Sequence, residues 1–468
     1  MNQVLNILLT LALISLVIAI IAQNRHPIRT LAWILVLVLL PVVGVVLYLL
    51  FGTQQRKKRL ISDNHLGELK DEVAKANSSM LRRDVPCGHD DIATLLWMTN
   101  KAIPLAGNDV RIYTTFDEMM DDMLEDMDKA TDHVHFEFFK FEDDNIGRKV
   151  GSKLRELAAR GLEVRVTYDS AANLSRHRFY RWLRKGGVQV KAFLPVVFPF
   201  LSTTTNYRNH RKIVVIDGKI GYLGGMNIAD RYSKGIRGGQ WRDTHIRIHG
   251  PAAAELQTAF LVDWQFCTKR FVSGKRYFPQ VESVGESIVQ IATSGPMDEW
   301  KVSMQGMIRL ITQAERYVYI ESPYFIPTEP VMMALKNAAL AGKDVRVIIP
   351  YHGDKGILVP LASRSYVEEA LTAGVKIYFY GGGYLHAKTI VSDGTVCTVG
   401  STNLDVRSFE QDFEVNAFIY DKDVARKLRD AFLADMNIST RVSLEQWRKR
   451  SSWEKFKESF ARLFSPIL

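Results

Sequence analysis

The chain has 468 residues, 47% of them hydrophobic, and a formal net charge of +10. This length allows two domain-sized units with large cores, which excludes a small disulfide-dense or intrinsically disordered protein. Its cysteines, Cys87, Cys267 and Cys397, are scattered without metal-ligand spacing, a pattern that is typical of a reducing compartment. The positive charge indicates an anionic partner, either nucleic acid or an anionic membrane surface.

Residues 1–52 contain two apolar runs, Val4 to Ala22 and Leu31 to Phe51. Each is close to the about 20 residues that a membrane helix needs. The first run lacks a charged leader and a clear cleavage site, and the second follows directly, so the pattern favours a transmembrane helical hairpin over a signal peptide. The basic cluster from Arg56 to Arg59 outweighs the two arginines between the runs. We therefore expect a multi-pass protein of the cell membrane with its catalytic part in the cytoplasm.

The rest of the chain divides into a connector, two similar halves and a tail. Residues 53–104 form a polar, mostly helical connector, and the halves span residues 105–271 and 288–440. Each half repeats the order strand, helix, strand, at 134–137, 147–160 and 162–166 and then at 318–321, 329–341 and 345–349. This alternation predicts an α/β fold of two pseudo-symmetric α/β/α halves packed face to face.

The acidic run from Asp117 to Asp128 is the nearest approach to a metal site in the sequence. Phe116, Met120, Met123 and Met127 interleave with it at helical spacing, which predicts an amphipathic helix with a solvated acidic face rather than a calcium loop. We therefore predict no metal and no cofactor.

One constellation of side chains occurs twice with identical internal spacing. The first copy is His210, Lys212, Asp217, Gly224 and Asn227, and the second is His386, Lys388, Asp393, Gly400 and Asn403. Each copy predicts a buried strand, an Asp-Gly hairpin turn and a second strand. Residues two apart on a strand share a face, so each His points the same way as its Lys.

These residue types suit phosphodiester chemistry. A neutral histidine can attack as a nucleophile, a second histidine can act as general acid, and lysine with asparagine can stabilise phosphoryl oxygens. Two carboxylates, Asp243 and Glu414, could accept the other ring N–H of a histidine and fix its tautomer. One copy alone would be read as an ordinary strand and turn, but two copies with the same spacing favour catalysis.

Two further segments suggest contact with lipid. The apolar stretch Phe193 to Leu201, which has two prolines, precedes the first copy only; it is either a cover for the core or a loop that admits acyl chains. Residues 441–468 form a basic amphipathic tail with aromatic residues, which suits an anionic lipid interface. The alternative for the tail is a terminal helix docked on the protein itself.

The pattern H-x-K-x-x-x-x-D followed by G-[GS]-x-N, present twice, resembles the phospholipase D superfamily, and the resemblance extends over nearly the whole chain. Gly225 departs from the serine that is frequent in the superfamily, whereas Ser401 keeps it. The resemblance implies a phosphatidyl-histidine intermediate, with His210 as nucleophile and His386 as acid and base.

The resemblance also implies a membrane phosphatidyltransferase that makes cardiolipin from two phosphatidylglycerol molecules with release of glycerol. The expected partners are phosphatidylglycerol, other anionic phospholipids and the membrane. The alternatives are a phospholipase D, another head-group exchange enzyme, a phosphodiesterase acting on nucleic acid, and a non-catalytic membrane scaffold. The predicted membrane spans and the tail disfavour nucleic acid as the partner. The sequence leaves open the lipids used, transfer against hydrolysis, and the oligomeric state.

Overall fold

A computed structural model of the chain describes residues 2–23, 27–52, 60–82, 84–195, 206–236, 239–354 and 356–468, without the side chains of a few residues within these ranges, most of them near the N-terminus. The described residues belong to two compact units, a small one that contains the N-terminal helices and a large one that contains the duplicated motif.

The small unit consists of consecutive helices, α1 (Asn2–Ala22), α2 (Pro27–Leu39) and α3 (Pro41–Leu47). Ile20, Leu37 and Tyr48 are buried where these helices pack together. Within the described residues, no helix is both long enough and apolar enough to cross a membrane. The predicted pair of membrane-spanning helices therefore stays a prediction.

The strands of the large unit alternate with helices. In the first half the strands are β1 (Leu105–Tyr113), β2 (His133–Phe138), β3 (Glu163–Asp169), β4 (Gln189–Phe193), β5 (Arg208–Asn209), β6 (Lys212–Ile216), β7 (Ile220–Gly224), β8 (Gln240–Arg242) and β9 (His245–His249). In the second half they are β10 (Ser287–Ser294), β11 (Tyr317–Glu321), β12 (Phe325–Ile326), β13 (Asp344–Pro350), β14 (Lys376–Tyr380), β15 (Gly383–Leu385), β16 (Thr389–Ser392), β17 (Val396–Gly400), β18 (Leu404–Asp405), β19 (Asp412–Tyr420) and β20 (Ser439–Arg441).

The helices of the large unit cover both faces of the strands. Before and within the first half they are α4 (Asp63–Ala76), α5 (Asp90–Asn100), α6 (Phe116–Asp128), α7 (Asn145–Ala159), α8 (His177–Lys185), α9 (Asp230–Lys234) and α10 (Ala253–Thr268). After them come α11 (Val302–Thr312), α12 (Glu329–Leu340), α13 (Leu358–Ser365), α14 (Val367–Thr372), α15 (Val406–Glu410), α16 (Lys422–Asn437), α17 (Leu444–Arg448) and α18 (Ser452–Arg462).

Both halves contribute to one continuous sheet. Its order is β20-β14-β13-β11-β16-β17-β19-β10-β1-β9-β7-β6-β2-β3-β4. The order outward from β1 to β4 matches the order outward from β10 to β14, and β20 is an additional strand at the edge of the second half. Apart from β20, the sheet therefore repeats the symmetry of the sequence. The halves join where β1 pairs antiparallel with β10, with Leu105 opposite Val289. They therefore meet edge to edge within the sheet rather than face to face, because each edge strand satisfies its backbone groups on the other.

The core continues across this join. Ile246 of the first half and Val289 and Val415 of the second are fully buried in one cluster. The predicted connector also belongs to this body, since Leu69 of α4 is fully buried in the same cluster. Ile92 of α5 is fully buried in the core of the second half. The connector residues 53–59 lie outside the described residues.

The predicted secondary structure is confirmed in both halves. The first-half strand, helix and strand are β2, α7 and β3, and their second-half equivalents are β11, α12 and β13. The acidic run forms helix α6, which buries Met119, Met123 and Met127 and leaves most of its acidic residues on the solvent side. This alternation of apolar and acidic residues at helical spacing is the reason for the helix.

Candidate active site

Two short strand pairs link the halves beside the duplicated motif. Strand β5 pairs parallel with the start of β19, and β8 pairs parallel with β15. The backbone continues each pairing: His210 N–H donates to Phe413 O at 2.9 Å, and His386 N–H donates to Arg242 O at 2.7 Å. Each histidine is therefore set beside the residue that follows the acceptor of this hydrogen bond, which is a carboxylate in both cases, Glu414 after Phe413 and Asp243 after Arg242.

The histidines exchange carboxylates between the halves. His210 Nδ1 lies 3.0 Å from Glu414 Oε1, and His386 Nδ1 lies 2.6 Å from Asp243 Oδ2. Both histidines are largely buried, with 8% and 7% of their surface exposed. A carboxylate on Nδ1 fixes the ring orientation and leaves Nε2 for the reacting group. Each histidine thus receives its carboxylate from the other half, so both halves are needed to build the site.

Each motif lysine is hydrogen-bonded to the backbone carbonyl of its own histidine. Lys212 Nζ donates to His210 O at 2.5 Å, and Lys388 Nζ donates to His386 O and lies 2.9 Å from His386 Nδ1. Their side chains are buried. Burial lowers the pKa of Lys212 to about 7 against the opposing charge of Glu414, and burial also lowers the pKa of Lys388. Two ammonium groups at this depth provide a positive field for an anion.

Both histidines are neutral in the unliganded site. Burial and the charges of Lys212 and Lys388 hold the pKa of His210 well below its usual value. Burial and Lys388 lower the pKa of His386 to about 4, although Asp243 opposes this shift. A bound phosphodiester would add negative charge and so favour the protonated form of a histidine.

The two carboxylates differ in electrostatic character. Burial alone raises the pKa of Asp243, but the charges of Lys388 and His386 lower it below its usual value. Burial raises the pKa of Glu414 to about 7, against the opposing charge of Lys212 and the hydrogen bond from Ser401. Asp243 is therefore ionised throughout the physiological range, whereas Glu414 changes charge near neutrality.

Local packing explains why Gly225 and Ser401 differ. Ser401 donates its hydroxyl hydrogen to Glu414 and accepts a hydrogen bond from Val415 N at 3.0 Å, which orients the carboxylate. At Gly225 a side chain would overlap the Asp243 carboxylate. The glycine thus makes room for Asp243, and the serine supports the longer Glu414.

The two asparagines of the motif are placed differently. Asn227 Nδ2 donates to Tyr232 Oη at 2.6 Å, and its Oδ1 accepts from Lys140 N at 3.0 Å. Asn403 is buried, and its Oδ1 has no hydrogen-bond partner among the described residues. Asn227 therefore braces the loop after β7, and Asn403 retains capacity for a ligand.

Asp217 and Asp393 do not join the cluster, although the sequence placed them among the catalytic residues. Asp217 accepts backbone N–H groups of Thr131, Asp132 and His133 at 2.8–2.9 Å. Asp393 accepts backbone N–H groups of residues 315–317 in the same way. Both lie in the hairpin turn at the far end of the strand from the histidine. They hold the turn against the neighbouring strand, which explains their constant spacing in the motif.

Aromatic side chains that the sequence analysis missed form the walls of the site. The ring of Phe139 lies 4.9 Å from that of His210. Around His386 the rings of Trp241, Tyr384 and Tyr232 lie at 5.3, 5.9 and 6.1 Å. Trp241 and Tyr384 stand two residues before Asp243 and His386, so the two-residue period of a strand was a signal for them.

A buried ion cluster on the opposite face of the strand was also missed. Arg211 Nη1 donates to Asp263 Oδ2 at 2.6 Å, and its Nε donates to Glu414 O at 3.1 Å. Asn209 Nδ2 donates to Glu137 Oε1 at 2.5 Å. The cluster therefore fixes the backbone on both sides of His210 and ties it to the other half.

One group of side chains in the site has the geometry of a metal cluster. Among the described residues, His210, Asp412 and Glu414 offer ligand atoms within 4.8 Å of one another. His210 is already hydrogen-bonded to Glu414, and the buried Lys212 ammonium acts on both carboxylates. The lysine therefore supplies the positive charge that a cation would bring to this cluster.

Of the two segments expected to contact lipid, one is described in full. The apolar stretch is described only to Pro195, and residues 196–205 lie outside the described residues; Phe193 is buried with Phe413. The tail forms α17 and α18, with Glu458 and Ala461 buried against the protein.

Helix α18 also has an exposed face. Trp453, Phe456, Phe460 and Leu463 are 65%, 58%, 51% and 73% exposed. The helix is thus docked through one side and presents an aromatic side outward.

Comparison with known proteins places this chain among characterised families. The family model described as cardiolipin synthase, PLD-like domain, matches residues 123–264 and 307–436. A second model, described as phospholipase D-nuclease N-terminal, matches residues 7–52. The two halves thus match the same model.

Several relatives are similar over nearly their whole length. The chain is 39% identical to a cardiolipin synthase of Listeria monocytogenes over 474 residues, covering 99% of this chain and 98% of the relative. It is 40% identical to one of Staphylococcus aureus over 455 residues, covering 93% and 91%. A crystal structure of phosphatidylserine synthase from Haemophilus influenzae superposes with a TM-score of 0.62 at 13% identity, covering 81% of this chain and 100% of that one. The last likeness shows a shared phospholipase D-type α/β fold.

Proposed function

Because this chain belongs to the cardiolipin synthase family and is a phosphatidyltransferase of phospholipase D type, we propose that it joins two phosphatidylglycerol molecules into cardiolipin and releases glycerol. The observation that carries the mechanism is the exchange of carboxylates between the halves, which gives each histidine an unequal partner. Unequal partners suit unequal roles in a two-step transfer.

His210 is the nucleophile in this proposal. Its low pKa keeps the imidazole neutral, and Glu414, when ionised, holds the proton on Nδ1. Nε2 then attacks the phosphorus of the first phosphatidylglycerol, and the bond from phosphorus to the glycerol oxygen breaks. The product of this step is a phosphatidyl group on His210.

His386 moves the protons. Asp243 is ionised and 2.6 Å from Nδ1, so it stabilises the imidazolium form that the anionic substrate favours. The imidazolium gives its Nε2 proton to the departing glycerol. The neutral imidazole that remains later takes the proton of the incoming hydroxyl, as that oxygen attacks phosphorus and the bond from phosphorus to His210 breaks.

The motif lysines stabilise the phosphoryl oxygens. Lys212 and Lys388 supply positive charge, whereas the unpartnered atom of Asn403 is its acceptor Oδ1, which cannot donate to a phosphoryl oxygen. Charge-assisted contacts of this kind are stronger in a buried site than in water. Ser401 supports Glu414 instead of touching the phosphate.

A hydrolytic phospholipase D is the second candidate, because water could resolve the same intermediate. Incubation of the purified protein with phosphatidylglycerol alone, followed by mass spectrometry of the lipids, separates the two. We expect cardiolipin and free glycerol in equal amounts. Phosphatidic acid as the main lipid product would contradict the transfer, and cleavage of DNA at a comparable rate would favour a nuclease.

We place the enzyme at a membrane surface. The small unit exposes a series of apolar side chains, among them Ile14, Ile18, Leu35 and Val42, each more than half exposed. The exposed face of α18 carries Trp453, Phe456, Phe460 and Leu463, with Lys455 and Lys457 on the same helix. Apolar and basic side chains together suit an anionic bilayer. The predicted transmembrane hairpin would anchor the chain, and α18 would lie on the lipid surface.

Replacing Phe456 and Phe460 by serine should lower activity on phosphatidylglycerol vesicles several-fold, since lost apolar area weakens interfacial binding. Activity on phosphatidylglycerol dispersed in detergent micelles should stay at the wild-type level. A matched control is Leu340→Ser, which changes an exposed apolar residue elsewhere on the large unit. Equal losses on vesicles and in micelles would assign the two phenylalanines to folding.

A further inference from the structure

A small polar cluster lies beside His386 and has no role in the scheme above. Tyr324 donates its hydroxyl hydrogen to Asp354 Oδ1 at 3.2 Å. Tyr384, two residues before His386, places its ring 5.9 Å from the histidine ring. Its hydroxyl lies next to Tyr324 and Asp354. The cluster comes from three separate segments of the second half, so it is a product of the fold and not of one motif.

Asp354 acts on the reaction centre. Burial lowers the pKa of His386 to about 4, and Asp354 is among the negative charges that oppose this shift. Burial also lowers the pKa of Lys388, and Asp354 opposes that shift too. The negative charge of Asp354 therefore acts on both His386 and Lys388.

One buried polar atom next to this cluster has no partner. Among the described residues, Trp241 Nε1 makes no hydrogen bond, although only 7% of the residue is exposed. The rings of Trp241 and Tyr384 are in contact, with centroids 4.8 Å apart. Because buried polar groups are nearly always hydrogen-bonded, an orphaned donor beside Tyr384 indicates the place of a polar ligand.

There is room for such a ligand. Tyr384 lines a cavity of about 660 Å³ that is bordered by Tyr351, Phe379 and the backbone of residues 381–383. The consecutive glycines keep this border free of side chains. A head group of a few heavy atoms can therefore approach Tyr384, whose ring lies 5.9 Å from that of His386.

We propose that Tyr324, Asp354 and Tyr384 form the subsite for the acceptor alcohol, which is the glycerol head group of the second phosphatidylglycerol. One glycerol hydroxyl donates to Asp354 and accepts from Tyr384, and the neighbouring terminal hydroxyl then faces Nε2 of His386. That oxygen bonds to phosphorus, the bond from phosphorus to His210 breaks, and the proton passes to His386. The inference rests on the proposed function and names the acceptor site of the same reaction.

The subsite explains a preference for alcohol over water. Water has no second hydroxyl, so it gains nothing from Asp354 or Tyr384, whereas a diol is held with its reacting oxygen in place. Sites built to hydrogen-bond a substrate hydroxyl discriminate strongly against molecules that lack it. These three residues should therefore set the balance between cardiolipin and phosphatidic acid.

The test measures how the phosphatidyl-enzyme divides between its two acceptors. The ratio of cardiolipin to phosphatidic acid depends on the second step alone, because both products come from one intermediate. We expect Asp354→Asn and Tyr384→Phe each to lower this ratio about tenfold or more. Asp430→Asn, which changes an exposed carboxylate whose ion-pair partner among the described residues is its neighbour Arg429, should leave the ratio unchanged.

A second measurement uses free alcohols. With glycerol and 1-propanol in competition, the wild type should prefer glycerol, and both variants should lose that preference. An unchanged ratio together with an unchanged preference would overturn the subsite. Should Asp354→Asn not fold, Tyr384→Phe decides alone, since it removes one hydroxyl and keeps the aromatic ring. Failure of the proposed function would look different, because the wild type itself would then make no cardiolipin.

Discussion

Replacing either histidine should lower cardiolipin formation by about 10²-fold or more, but only the loss of His210 should abolish the first chemical step. His210→Ala removes the nucleophile and should reduce turnover by about 10⁴-fold or more. His386→Ala removes the proton donor, a loss of about 10²–10⁴-fold. The reason for the difference is that His386 helps the leaving group, whereas His210 forms the bond.

A substrate with a better leaving group separates these roles. A phosphatidyl ester of p-nitrophenol needs no proton to depart, so His386→Ala should release a burst of p-nitrophenolate equal to the enzyme present. The phosphatidyl group should then remain on His210, because its removal needs the missing base. Intact-protein mass spectrometry after an alkaline quench, which preserves the phosphorus–nitrogen bond, would show the added mass.

The matched variant in this experiment is His210→Ala, which should give neither a burst nor an added mass. A burst from His210→Ala and none from His386→Ala would reverse the assignment of the two roles. Bursts from both would mean that either histidine can act as nucleophile. The exchange of carboxylates seen here predicts one order only, since Asp243 is ionised and Glu414 changes charge near neutrality.

The sequence predicted the repeated elements because each carries a local signal. The hairpins β6–β7 and β16–β17 follow from their Asp-Gly turns, and α7 and α12 follow from their periodicity. The histidines and lysines of the site could be chosen from the duplication alone. Local pattern and fixed spacing were sufficient for these features.

The pairing of the histidines could not be predicted in the same way. It depends on β5 and β8, which have only two or three residues and therefore no readable period. It also depends on the pairing of β1 with β10. Edge strands pair through backbone N–H and C=O groups, which every sequence has, so the sequence does not show which two edges will pair. Asp217 was misplaced for a related reason. Equal spacing shows that a residue recurs at the same position of both motif copies. It does not show whether the side chain faces the substrate or the neighbouring backbone.

The carboxylates should respond differently when their charge is removed. Asp243→Asn should lower turnover by about 10³–10⁴-fold, because an amide cannot hold the imidazolium or fix its tautomer. The pKa of Asp243 is below its usual value, so the wild-type residue is ionised at neutral and alkaline pH. The factor lost should therefore be the same at every pH from about 6 to 9.

Glu414→Gln should instead show a loss that grows with pH. The pKa of Glu414 is raised to about 7, so below that value the wild-type side chain is already neutral and glutamine imitates it. Above it, the wild-type carboxylate accepts the Nδ1 proton of His210 and frees Nε2, which glutamine cannot do as well. The ratio of wild-type to variant activity should rise through about pH 7. Lys212 titrates in the same range, and the charge of Glu414 raises its pKa. Glu414→Gln therefore also lowers the pKa of Lys212, so the loss of the Lys212 charge at higher pH acts in the same direction.

Ser401→Ala gives a control that moves the midpoint without removing the carboxylate. Ser401 donates a hydrogen bond to Glu414 and thereby lowers the pKa of that carboxyl. Without the hydroxyl the acid form is favoured further, so the activity profile of Ser401→Ala should shift to higher pH. A constant loss for Glu414→Gln at all pH values would contradict the unequal pairing, because it would mean that both histidines rest on permanently charged partners. The unequal pairing turns two motifs of the same spacing into a nucleophile and a proton carrier, because each motif takes its carboxylate from the other half and the two carboxylates differ.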